Sequence, residues 1–220
     1  MGAAPQQRPI VTVAALFGSG GSVVGPAVAE RLGVPFFDRS IAQAVASRTG
    51  LSEKAVAELD DEASRQPTFW GRLSRLSTVT GEGGGSFERL DLSERDVRGH
   101  IEAVVAGTRK TGGVVLGRGG MVLLQDVPWA LHVHLRGPAD ARARQGADIL
   151  GIDPVSAEKQ QKLEDRARRD YVSKVYGVDG EDPSFYHLVI DSTALDLDLC
   201  VELIVEAARA RLKDHAGGDR

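Results

Sequence analysis

The stretch Ile10-Val11-Thr12-Val13-Ala14-Ala15-Leu16-Phe17-Gly18-Ser19-Gly20-Gly21-Ser22-Val23-Val24-Gly25 is an apolar run, a turn of small residues and the start of an amphipathic segment. Its first part, with the neighbouring Pro9, reads as a β-strand. Val23, Val24, Val28 and Leu32 then recur at helical spacing, and Gly33 supplies a C-terminal stop, so residues 22–32 read as a helix. Residues 34–37 form a second short strand ending at Asp38. Strand, glycine-rich loop, helix and strand in this order open a parallel α/β sheet. The loop itself is suited to an anion: small residues let backbone N–H groups approach, and a helix N-terminus adds unsatisfied donors and partial positive charge. An ordinary glycine-rich turn is the plain alternative.

Working outward, three more β-rich runs lie at residues 113–116, 130–135 and 187–190. Helical patterns separate them: about 51–63, about 93–110, 154–176 and 198–212, with the final HAGGDR expected to fray. The expected fold is therefore one α/β domain over residues 9–213 between a flexible start (1–8) and a flexible tail (214–220). The second and third strands are separated by about 75 residues, far more than a simple crossover requires. That connection contains Gly81-Glu82-Gly83-Gly84-Gly85-Ser86, so a helical insert at about 39–111 with a mobile tip is expected. Residues 136–169 are dense in arginine, including Arg136, Arg142, Arg144, Arg166, Arg168 and Arg169.

Composition narrows the function. The 220 residues are 42% apolar and 26% charged, enough for a sizeable core. A net charge of −4 offers no general attraction to nucleic acid, so an anion site has to be a local gathering of donors. A phosphorylated small molecule fits this better than DNA. Cys200 is the single cysteine, excluding an internal disulfide and matching a reducing cytoplasm. The start lacks an apolar signal core and no stretch approaches the length of a membrane span, so neither secretion nor membrane insertion is expected. The five histidines are scattered; His132 and His134 share a strand face but do not make a structural zinc site.

Against the phosphate-loop pattern G-x-x-x-x-G-K-[ST], the best register puts Ala15 at the first glycine, Gly20 at the second and Ser22 at the hydroxyl. Gly21 then stands where the lysine belongs. That lysine reaches the outer phosphates, so its absence bears on transition-state charge more than on binding. A dinucleotide site is the rival, with Asp38 about 20 residues beyond Gly18. It fails because G-x-G-x-x-G would need glycine at Val23, whereas the next one is Gly25.

Taken together, residues 18–25, Arg31-Leu32-Gly33-Val34-Pro35-Phe36-Phe37-Asp38, Val114-Val115-Leu116-Gly117-Arg118-Gly119-Gly120 and Leu163-Glu164-Asp165-Arg166-Ala167-Arg168-Arg169-Asp170-Tyr171 resemble the bacterial cytidylate kinase-like family. The resemblance spans most of residues 10–205 and is similar to the nucleoside monophosphate kinases at large. It implies a P-loop NTPase fold, with a five-stranded parallel sheet of order 2-3-1-4-5, helices on both faces, an acceptor-binding insert and an arginine-bearing lid at about 139–175. In that family a GSGG loop without lysine is usual.

Site assignments follow from it. Gly18, Ser19, Gly20, Gly21 and Ser22 are expected to hold the donor phosphates, with the Ser22 hydroxyl on Mg²⁺. Asp38 and Arg39, at the mouth of the sheet, are expected near the acceptor, although Asp38 suits a helix N-cap equally well. Arg118, among glycines, corresponds to the arginine that binds the acceptor phosphate; guanidinium does this in a fixed two-bond geometry. The residue after it is Gly119, where the family motif has aspartate. Arg142, Arg166 and Arg168 are expected to neutralise charge on the transferred group in place of the lysine, while a charged, solvated helix is the alternative for each. Asp191-Ser192-Thr193 resembles the segment near the donor base, or is simply a polar turn.

The function implied is an ATP-dependent phosphotransferase, using Mg²⁺ with ATP or another nucleoside triphosphate, and a nucleoside monophosphate as acceptor, CMP by resemblance. No nucleic acid or membrane partner is expected. The alternative is a non-catalytic nucleotide-binding or partner-binding protein that kept the fold without the lysine.

Overall fold

The computed structural model describes residues 7–38, 94–117 and 119–217. Elements are numbered along these residues. β1 (Ile10–Ala15) leads into α1 (Gly21–Leu32) and β2 (Phe36–Phe37); α2 (Glu94–Thr111) precedes β3 (Gly113–Leu116). A short α3 (Gly120–Leu123) is followed by β4 (Leu131–Arg136), the pair α4 (Ala139–Leu150) and α5 (Pro154–Tyr176), a single 3-10 turn (Pro183–Phe185), β5 (Leu188–Asp191) and α6 (Leu197–Gly217). The expected helix at 51–63 and the Gly81-to-Ser86 tip lie outside the described residues, as do Arg39 and Arg118.

The five strands form one parallel sheet of order β2-β3-β1-β4-β5. Val13 pairs with Leu116 and Ala15 with Leu135. Parallel strands all end on the same side, so the chain segments following β1, β2, β3, β4 and β5 emerge along one edge. Because side chains alternate along a strand, the sheet has two unlike faces. Val11, Val13, Ala15, Leu131, Val133 and Leu135 face α1 and α6, where Val24, Val28, Val201 and Ile204 complete the core together with the buried Cys200. The intervening Thr12, His132 and His134 are also buried, on the opposite face. There Thr12 Oγ1 and His132 Nδ1 are 2.8 Å apart, His132 stacks on His187 at 5.0 Å, and His134 lies against Tyr186.

A second, smaller cluster positions the site. Phe17, from the glycine-rich loop, packs among Ala147 and Ala157 with Ile152 beside them, so the α4–α5 hairpin is anchored on the loop. Gly146 is required there: a Cβ on it would lie 2.6 Å from the Phe17 ring. α5 begins as the sequence indicates, with Pro154 in its first turn and Asp153 accepting from the Ser156 N–H at 3.0 Å. Two boundaries differ from expectation. α6 runs past the expected end at Leu212 to Gly217, so the first residues of the HAGGDR stretch expected to fray are helical. α4 is a full helix inside the arginine-dense region, with no side-chain cap and only small residues and Arg142 buried. No helix among the described residues is long and apolar enough to cross a membrane.

Candidate phosphate-binding site

Between β1 and α1 the backbone of residues 15–22 separates its acceptors from its donors. Gly18 and Gly20 have φ of 72° and 76°, a left-handed conformation that glycine alone adopts without strain. Every carbonyl from Ala15 to Gly20 is taken by the protein. Arg168 Nη1 donates to Ala15 O, and the Ser19 N–H and hydroxyl donate to Leu16 O at 3.1 and 2.7 Å. Arg142 Nη1 donates to Phe17 O at 2.7 Å and Gln145 Nε2 to Gly18 O at 2.9 Å. The Ser192 hydroxyl donates to Ser19 O at 2.8 Å, and the Val23 and Val24 N–H groups donate to Gly20 O.

The donors are treated differently. The Phe17 N–H is held by Asp165 Oδ1 at 2.9 Å and the Ser19 N–H closes the turn onto Leu16. The N–H groups of Gly18, Gly20, Gly21 and Ser22 meet no acceptor among the described residues. A left-handed residue followed by a helical one turns successive N–H groups into one concavity, the usual backbone nest for an oxyanion. Here Gly20 and Gly21 supply that pair at the first turn of α1, where the helix end adds partial positive charge. Buried Gly20 and Gly21 gain most from an external acceptor, because an unpaired buried N–H is costly. Ser22 is exposed, and no partner among the described residues takes its hydroxyl.

The lysine position has a steric explanation. A Cβ on Gly21 would lie 2.5 Å from the Ala15 Cβ and 3.1 Å from Leu116 Cδ1. Ala15 stands where the lysine-bearing motif has its first glycine, so the methyl of one residue fills the space the other side chain needs. Gly21→Lys should therefore cost about 1–3 kcal/mol by overpacking. Combining it with Ala15→Gly should recover a large part of that loss. Urea unfolding of both single variants and the double variant measures this; strict additivity would remove the proposed coupling of the two positions.

The arginines expected at the site separate into three situations. Arg142 is not at a lid surface. Its side chain is 7% exposed and lies beneath the loop, with Nη1 also 2.9 Å from Asp165 Oδ2 and Nε donating to Gly137 O at 3.0 Å. Arg168 is half-exposed beside Ala15, with its second nitrogen 3.4 Å from Glu164 Oε2. Arg166 is 79% exposed on the outer side of α5, at 3.9 Å from Asp170. That ion-pair partner is on its own helix, one turn away.

Asp38 directly follows β2, two strands from β1 in the sheet, which puts it about 10 Å sideways from the strand that leads into the loop. Gly117 and Gly119, the sequence neighbours of Arg118, have φ of 72° and 66°, and the Gly117 N–H donates to Val13 O at 2.9 Å. The Asp191-Ser192-Thr193 turn is closed by Asp191 Oδ1, which accepts from the Thr193 N–H and hydroxyl. Those two bonds hold the Asp191 carboxyl below its ordinary range. Gln145, Asp165 and Ser192 all hold the loop, a role no local pattern assigned to them. Asp165 and Ser192 lie in segments that resemble family motifs, whereas Gln145 lies in none.

The cytidylate kinase-like family model matches residues 10–194. A curated protein described as uronate isomerase, from Corynebacterium glutamicum, is 29% identical over 124 residues, covering 56% of this chain. The match spans 23% of that protein's own length. Among solved structures, an uncharacterized protein from Eubacterium ventriosum aligns with a TM-score of 0.64 at 17% identity, over 92% of this chain and 99% of that one. TT1252 from Thermus thermophilus aligns with a TM-score of 0.50 at 19% identity, over 93% and 98%. Identities this low speak for a shared fold. The family model, by contrast, runs from β1 and its glycine-rich loop through the α4–α5 hairpin to the turn after β5, and the chain belongs to the cytidylate kinase-like family.

Proposed function

We propose that this protein transfers the γ-phosphoryl group of ATP, or of another nucleoside triphosphate, to a nucleoside monophosphate, with CMP the first acceptor to test. The observation that carries this is the division within the loop: carbonyls 15–20 bonded into the protein, and the N–H groups of Gly18, Gly20, Gly21 and Ser22 left for an anion. Family membership and the kinase-type sheet support the same reading.

The donor set fits the phosphates of a triphosphate and, through the exposed Ser22 hydroxyl, its Mg²⁺. Mg²⁺ bound there would offset charge on the phosphate oxygens as the transferred group departs. Arg168, half-exposed beside Ala15, would reach that charge only by exchanging its bond to the Ala15 carbonyl, and Arg166 only if α5 itself moved. Asp38, Arg39 and Arg118 are assigned to the acceptor: Arg118 to its phosphate, Asp38 to a sugar hydroxyl or the attacking oxygen. The cytoplasm is the assigned compartment, supported by a lone cysteine buried in the core.

One observation favours a second reading, a nucleotide-binding protein without transferase activity. Gly21 leaves no room for the lysine and no other cation is bonded at that point among the described residues. A coupled assay with ATP, Mg²⁺ and a panel of nucleoside monophosphates, beside calorimetry with ATP, separates the two. Phosphorylation of an acceptor is expected; ATP binding with no acceptor used would favour the second reading. In the active case Arg118→Ala should raise the acceptor KM by roughly tenfold or more, as expected for loss of a charged hydrogen bond. An unchanged acceptor response would withdraw Arg118 from the site.

A further inference from the structure

We propose that Arg142 and Ser192 are positioning residues that aim the anion-binding amides by holding the opposite end of the same peptide; this rests on the phosphate-loop reading above. In a trans peptide the C=O of one residue and the N–H of the next lie in one plane and point in opposite directions. No cis peptide occurs among the described residues. Whatever draws a loop carbonyl inward therefore turns the following N–H outward.

Each relevant peptide has such a holder. Arg142 Nη1 on Phe17 O, at 2.7 Å, sets the direction of the Gly18 N–H. The Ser192 hydroxyl on Ser19 O, at 2.8 Å, sets that of the Gly20 N–H. The first turn of α1 does the same for Gly21, through Val23 and Val24 on Gly20 O. All three N–H groups so directed are without an acceptor among the described residues, as the reading requires. Gln145 on Gly18 O governs the Ser19 N–H, which instead closes onto Leu16 O. Gln145 therefore belongs to the turn and not to the anion site.

Both holders are themselves immobilised. Arg142 is fixed by Asp165 and Gly137 O, and Asp165 in turn holds the Phe17 N–H, so Phe17 is gripped at its N–H and its carbonyl. Ser192 is fully buried and its own N–H donates to Arg136 O at 3.0 Å. Neither side chain can leave for the ligand without stranding a buried polar partner. They act through the peptide. This arrangement presents several N–H groups to one ligand at once, which suits a polyphosphate.

The test is an NMR titration of the ¹⁵N-labelled full chain with inorganic tripolyphosphate. In the unsubstituted protein the Gly18, Gly20, Gly21 and Ser22 amide protons should move downfield together. Ser192→Ala should cut the Gly20 response by more than half, leave Gly18 and Gly21 responding, and weaken tripolyphosphate binding by about tenfold. Arg142→Lys should instead diminish the Gly18 response, and carries the test alone should Ser192→Ala fail to fold. Residue-specific losses of this kind are not produced by general destabilisation. Full responses and undiminished affinity in both variants would overturn the inference, as would an equal fading of every loop amide. If the unsubstituted protein shows no loop response at all, the phosphate-loop reading falls, and the inference with it.

Discussion

Asp165→Ala is expected to lower the free energy of unfolding by about 3–5 kcal/mol, the range for removing one partner of a buried ion pair. The side chains of Arg142 and Asp165 are 7% and 10% exposed. Removing the carboxylate leaves the guanidinium charged in a site with little access to water, and it also strips the Phe17 N–H of its acceptor. The pair as a whole need not be worth this much, since bringing two charges out of water offsets much of their attraction. It is the half-pair that is penalised. Asp140→Ala is the matched control: its partner Arg144 is on the surface, with side chains 68% and 72% exposed, and its loss should stay within about 0.5 kcal/mol. Urea unfolding at pH 7 compares the two. An Asp165→Ala loss no larger than that of Asp140→Ala would mean that water reaches the pair. The variant Arg142→Ala/Asp165→Ala should lose less than the sum of the single changes, because the stranded charge is gone.

The second large effect is on pH dependence. His132 lies beneath the sheet, 5% exposed, and its imidazole is pushed down to about 4, chiefly by burial, then by the charges of His187 and Arg211. His134 and His187 are lowered too, again mainly by burial. A histidine whose folded value is depressed binds fewer protons in the folded chain than in the unfolded one. Its neutral form suits the fold, so stability is full above about pH 6.5 and is lost as pH falls toward 4. For His132 the loss amounts to about 3 kcal/mol, taking 1.36 kcal/mol per unit. Asp126, Asp153, Asp182 and Asp191 are lowered from the ordinary carboxylate value, so their contributions are lost at lower pH than this window. Unfolding free energies measured at pH 7, 5.5 and 4.5 should fall steadily, and His132→Gln should flatten the slope. A flat profile in the unsubstituted protein would mean that the buried histidines accept protons without penalty.

The strands, α1 with its Gly33 stop, and α5 from Pro154 to Tyr176 were legible along the chain, whereas the strand order was implied by the family resemblance. Strand alternation, helical spacing and the punctuation of Gly, Pro and Asp are relations among residues a few positions apart, and the motif blocks are equally local. α4 escaped because it buries small residues and one arginine in place of an apolar stripe, and starts after Pro138 without a polar cap. The glycine-rich loop could be recognised, but its chemistry could not be completed from the chain alone. Arg142 is 125 residues from the Phe17 carbonyl it holds, and Ser192 is 173 from Ser19. Gly21 could be seen at the lysine position; that Ala15 and Leu116 fill the space was decided by strand register and helix packing. A sequence pattern can offer a backbone donor. Which way that donor faces depends on what holds the other end of its peptide, and here those holders reach the loop from α4 and the turn after β5.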